Sequence, residues 1–222
     1  MGPLLVHRQG LVIAVAMVAV AASVWLLAAQ TRDRVVQAGF WFEDVSFDAS
    51  EVEADRLGGG ITPEEMQTIE AVAWAELRAA FKGLRIEFTD RRDAAFSVRI
   101  IQDLRRPDGR RGLGAAGESH GLWPLGGYGM VNFRLLAGRA IAYAPAGTDR
   151  TEKIEAIGRG IGRAAAHEFA HQILGPIDQG RDRKSYDYRN ADRPEQFYGP
   201  MHWEAAGPRL AARIGTNASW SR

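Results

Sequence analysis

Two histidines and a glutamate, in the run His167-Glu168-Phe169-Ala170-His171, carry the strongest chemical signal in the chain. Their neighbours, Ala164-Ala165-Ala166 before and Gln172-Ile173-Leu174 after, are good helix formers. On a helix, positions i and i+4 stand one above the other, about 6 Å apart. His167 and His171 can therefore hold one metal ion between their imidazoles. Glu168 is rotated by about 100° from that face and can reach a water on the metal without being a ligand. Zinc brings the pKa of such a water to about 7, and a carboxylate beside it can take the proton as the water attacks a carbonyl. The spacing is that of a metal-dependent hydrolase. The competing reading is a chance match on an amphipathic helix. The flanks weigh against it: Gly175 closes the run, and acidic and aromatic residues follow.

The element that must position these groups is a long helix. Asp149-x-x-Glu152 has the form of a capping box, and helical composition then continues to Leu174, roughly 39 Å at 1.5 Å per residue. Gly158, Gly160 and Gly162 interrupt it, at about 1 kcal/mol each relative to alanine. Gly158, Gly162 and Ala166 share one face, so the close approach of another backbone is the expected compensation. Arg159 and Arg163 lie above the histidines and are expected to pair with carboxylates of the C-terminal segment.

Upstream, Thr62-Pro63-Glu64-Glu65 opens a second helix with an N-cap threonine, proline at N1 and glutamate at N3. Its buried face is expected to carry Met66, Ile69, Val72 or Ala73, Leu77 and Phe81, with Gly83 ending it. Strands are predicted at Phe40–Phe47, Leu84–Thr89, Ala95–Asp103, Gly129–Leu135 and Ala140–Ala144. Arg105 to Gly121 reads as a glycine- and arginine-rich loop, and Trp203 to Ile214 as a short final helix. A helix, mixed strands and then a long helix bearing the motif give an α+β fold with a mixed sheet.

The first 30 residues read differently. Leu11 to Ala29 is uninterrupted by charge, and about 19 apolar residues suffice to span a bilayer as a helix. We read residues 1–30 as a transmembrane anchor or signal, residues 31–60 as a connector with one strand, and residues 61–222 as the catalytic domain. An uncleaved anchor is favoured over a cleaved signal, because the small-residue site Ala21-Ala22-Ser23 falls inside the apolar run. Either way the domain is expected outside the cytoplasm, membrane-anchored or, after cleavage, secreted. The absence of cysteine excludes a disulfide framework, a cysteine zinc site and a thiol nucleophile. A formal net charge of +1 points to no nucleic-acid partner.

After Gly175 the chain carries Asp178, Asp182, Asp187, Asp192 and Glu195 among aromatic residues, then Tyr198-Gly199-Pro200-Met201-His202-Trp203. The run from Gly158 to Gly175 resembles the active-site helix of metzincin-type zinc peptidases, and Tyr198-Gly199-Pro200-Met201 resembles the methionine-bearing turn of that clan. The resemblance covers about the last third of the chain. It implies a zincin-like fold, zinc held by His167 and His171, Glu168 as general base, and Met201 beneath the metal. Tyr198 is a candidate transition-state stabiliser. In the clan a third ligand, His or sometimes Asp, follows the glycine. Here Gly175 stands four residues after His171 where three is usual, and no histidine occupies the third position. Asp178, three residues after Gly175, is the first candidate; Asp182, His202 and Glu204 are alternatives.

The implied activity is hydrolysis of peptide bonds in a peptide or protein substrate, with Zn2+ as cofactor and the membrane reached through the N-terminal helix. Within enzymes, a gluzincin arrangement with Glu204 or Glu195 completing the site, or another metal-dependent hydrolase, is the alternative. From another class, a non-catalytic binding protein could keep the same fold. Glu168 argues against that, because a purely structural zinc site has no use for an unliganded carboxylate.

Overall fold

Thr62 caps the first helix as its sequence requires. Its side chain accepts from the Glu65 amide, the Glu65 carboxylate returns a bond to the Thr62 amide, and Pro63 sits at N1. The computed structural model describes residues 35–47, 55–104, 116–175, 193–200 and 206–217. Helix α1 (Pro63–Ala80) buries Ile69, Ala73, Leu77 and Ala80, four residues of one stripe.

The fold is α+β. A five-stranded sheet runs β2 (Ile86–Thr89), β1 (Val36–Glu43), β3 (Phe96–Ile101), β5 (Gly126–Asn132), β4 (Gly117–Leu122). The first four strands in that spatial order are parallel, and β4 pairs antiparallel with β5 at the edge. On one face Val36, Ala38 and Phe40 of β1, Phe96, Val98 and Ile100 of β3, and Val131 of β5 form the sheet's share of the core. That core also takes in the buried side chains of α1, α2 (Phe133–Ala142), α3 (Arg150–Leu174), α4 (Glu195–Tyr198) and α5 (Ala206–Ile214).

The α3 glycines do what their shared face suggested. A Cβ on Gly158 would stand 2.7 Å from the Ile69 carbonyl oxygen, and one on Gly162 would stand 2.5 Å from that of Ala73. Helix α1 therefore lies against α3 backbone to backbone. Gly160 faces another way and accommodates the Phe197 ring.

Several expectations are corrected. Strand β1 starts and ends about four residues earlier than Phe40–Phe47, because the alternation Val36, Ala38, Phe40 meets the core and Asp44, at φ 44°, breaks the strand. The segment read as a connector thus supplies a strand inside the sheet. Gly117–Leu122 is strand, not loop: it lies at the sheet edge and needs no apolar alternation. Gly129–Leu135 ends as strand at Asn132, whose side chain accepts from the Leu135 amide at 3.0 Å and starts α2. Ala140–Ala144 is therefore not a strand; Phe133, Leu136, Ala137, Ala140 and Ile141 are the buried stripe of that helix. Among the described residues, the carboxylates that Arg159 and Arg163 meet belong to α1 and α3. Arg163, only 3% exposed, pairs with Glu76 of α1 at 2.9 Å. It also donates to the carbonyl oxygens of Glu195, Gln196 and Gly199, each at 3.1 Å. Arg159 meets Glu152 and Glu155 of its own helix and donates to the Phe197 carbonyl at 2.8 Å. The two guanidinium groups bind the backbone of residues 195–199 to α3. The apolar run Leu11–Ala29 lies outside the described residues; among those, no helix is long and apolar enough to cross a membrane.

Candidate active site

The last turns of α3 carry the site. Asp149 caps the helix by accepting from the Glu152 amide at 2.8 Å, and Gly175 ends it at φ 79°, a conformation that favours glycine. From Gly160 to Ile173 nearly every residue is buried, and His167 and His171 are the half-buried exceptions. Their rings meet edge to face with centroids 4.4 Å apart, and their Nε2 atoms face each other at 2.8 Å.

Strand β4 forms the opposite wall. Gly117, Glu118, Ser119, His120 and Gly121 border a cleft of about 560 Å³ with His167, Glu168, His171 and Gly175. Glycines set how closely strand and helix approach. A Cβ on Gly117 would run into the Glu168 carboxylate, and one on Gly121 would stand 2.7 Å from the Gln172 carbonyl oxygen. Gly127 and Gly129 of β5 make room for the Gln172 side chain in the same way. Gln172 donates to the Ser97 carbonyl at 3.0 Å and fixes the helix to β3 from beneath.

Glu168 is 6% exposed. Burial pushes its carboxyl up to about 7; a hydrogen bond from Ser119 opposes that shift and the nearby Glu118 charge adds to it. A carboxyl poised near neutrality is suited to accept and return a proton. Ser119 and Gly117 were missed in the sequence because β4 was read as loop. Their signal was only the glycine spacing of Gly117-x-x-x-Gly121, which becomes meaningful once the strand lies on the helix.

The donor set can be tested against zinc. Zinc–imidazole bonds of about 2.0–2.1 Å in tetrahedral geometry put the two nitrogens roughly 3.3 Å apart. The rings need to open by about half an ångström, a small rotation for two side chains at the cleft surface. The convergence of two imidazole nitrogens beside a buried carboxylate fits the metal as two of its ligands. Among the described residues no third His, Asp or Glu joins them. That holds for Glu195, whose segment is tied to Arg163 a turn above His167, and for His120, which borders the cleft with its ring 3.1 Å from Glu118. Asp178, Asp182, Met201, His202 and Glu204 lie outside the described residues. Tyr198 is not brought to the histidines. Its hydroxyl donates to the Ala140 carbonyl at 2.7 Å, and burial pushes its pKa up to about 12, with Arg159 and Glu152 nearby. Glu152 is roughly 22 Å up the helix from His167 at 1.5 Å per residue.

No protein-family model, curated protein or solved structure matches this chain.

Proposed function

We propose that this chain is a membrane-anchored, zinc-dependent peptidase of metzincin type. The observation that carries the reading is the convergence of the His167 and His171 Nε2 atoms at 2.8 Å, next to the buried Glu168 carboxylate, in a cleft walled by an edge strand. His167 and His171 would hold the ion, with Asp178 the first candidate for the third ligand. Bound there, zinc would polarise a substrate carbonyl and lower the pKa of a water toward neutrality.

The remaining work falls to the chain's own groups. Glu168, held by Ser119, takes the proton from the attacking water and passes it to the departing amine. Its raised affinity for a proton suits both halves of that transfer. Among the described residues strand β4 pairs with β5 on one side only, so its other edge would offer backbone donors and acceptors along the cleft. An extended peptide can add to that edge as a further strand, which holds its scissile bond in register over the histidines. An edge of this kind recognises main chain, which favours a peptide over a small-molecule substrate.

The test separates ligand from base. The full chain should bind one zinc, and His167→Ala and His171→Ala should each lose it. Glu168→Gln should keep zinc while hydrolysis of a denatured protein substrate falls by roughly 10²–10⁴. Loss of zinc in Glu168→Gln would make that residue a ligand and end this mechanism. Asp178→Ala should cut zinc affinity sharply while Asp182→Ala leaves it nearly unchanged; the reverse moves the third ligand. Full zinc binding with no hydrolysis of any peptide would favour the binding-protein alternative.

A further inference from the structure

Among the described residues, the face of the sheet turned away from the helices carries charged and amide side chains on several strands. Gln37 bonds Glu87 at 2.9 Å, and Arg99 pairs with Glu43 at 2.9 Å. It changes character at one end. Leu122 and Leu125 are 66% and 63% exposed, and Tyr128 is more than half exposed. With Ala94, Ala95 and His120 they line a shallow apolar hollow at the tip of the β4–β5 hairpin. Trp123 leans on Phe96, with centroids 5.5 Å apart, and props the tip. Apolar side chains clustered in the open mark a surface that meets something.

The sheet register identifies the partner. Strands β1, β3 and β5 are parallel, so their N-terminal ends share one end of the sheet. Ala38 pairs with Phe96, and Phe96 with Gly127. Leu125, two residues before Gly127, therefore stands level with Val36, about 10 Å away across two strand spacings. Val35, next to it, is itself exposed. Only Gln30 to Arg34 separate Val35 from the apolar run Leu11–Ala29, and six peptide steps reach at most about 20 Å. An anchor in the bilayer thus tethers the end of the sheet that carries the exposed leucines. The opposite end is farther away by the length of β1, about 25 Å.

We propose that the hairpin tip Leu122–Leu125, with Val35 and Tyr128, is a docking surface for the lipid bilayer that carries the chain's own anchor. Tryptophan and tyrosine are suited to the boundary between headgroups and acyl chains, and leucine to the acyl chains beneath it. The inference rests on reading Leu11–Ala29 as a retained anchor. It also narrows the substrate. His120 and Gly121 border both the hollow and the cleft, so a docked domain opens its cleft beside the bilayer and acts on chains that emerge from it.

The absence of cysteine allows a single thiol to be placed at will. Leu125→Cys, and Ser46→Cys as a control beyond the far end of β1, would each carry a nitroxide on the full chain in vesicles of phosphatidylcholine and phosphatidylglycerol. Power saturation should give position 125 an oxygen-to-nickel-chelate accessibility ratio several-fold above that at position 46. Equal ratios, in protein that floats with the vesicles, would overturn docking and leave the anchor in place. Protein that does not float would overturn both. Shielding of position 125 only on addition of a peptide substrate would assign the hollow to that substrate and also overturn docking.

Discussion

Glu168 gives the site a measurable signature even before activity is assayed. Its carboxyl, raised from 4.5 to about 7 by burial, holds a proton in the folded chain over a pH range where the unfolded chain has released it. Stability in the metal-free protein is therefore fully present below about pH 4.5 and is lost as pH rises through about 7. The loss amounts to about 3 kcal/mol, at 1.36 kcal/mol per pH unit. Thermal melts of metal-free protein across that window should show the decline, and Glu168→Gln should flatten it. An unchanged slope in the variant would place the titration elsewhere. The residues of this site were unequally legible. His167, Glu168 and His171 lie within one helix turn, so sequence spacing is spatial spacing. Ser119 and Gly117 reach them from an edge strand some fifty residues away, and only the sheet register brings them together. Tyr198, a candidate transition-state stabiliser in the sequence, has its hydroxyl on the Ala140 carbonyl, a partner that sequence spacing could not show.

At the level of elements, the contact between α1 and α3 depends on missing side chains. Gly162→Ala would place a methyl group 2.5 Å from the Ala73 carbonyl oxygen. Overpacking costs about 1–3 kcal/mol and outweighs the gain of about 1 kcal/mol in helix propensity. The net loss of up to about 2 kcal/mol should lower the melting temperature by up to roughly 8 °C, at 2–4 °C per kcal/mol. A rise would mean that the helices can move apart without loss. This contact was readable in advance because three glycines in a helix demand a reason. The strands were read less well. Helix α2 was mistaken for strand because Asn132 was not recognised as its cap, and β4 was missed because an edge strand over a cleft can be glycine-rich and polar.

For the whole molecule, the reading of an anchor makes a topological prediction. Full-length protein should sediment with membranes, and protease added to spheroplasts should digest the domain while the membrane is intact. Protection would place the domain on the cytoplasmic side. Recovery of a soluble form starting after the apolar run would show a cleaved signal. At this scale the sequence offers composition alone: 19 residues without charge are long enough for a span, and the run lies outside the described residues. Which end of the sheet lies nearest that run was not legible, because it depends on which strand ends lie together.

Helix α3 serves both as the spine of the core and as the carrier of the site, and this governs how the protein should exchange its amide hydrogens. From residue 164 to residue 173 only His167 and His171 are not buried, so their backbone can open only when the surrounding core opens with it. Deuterium uptake there should be among the slowest in the chain, with protection near the free energy of global unfolding. A chelator should leave that protection largely intact. On the zinc reading, the metal would leave and return by rotation of two imidazole rings, with the helix beneath them unmoved.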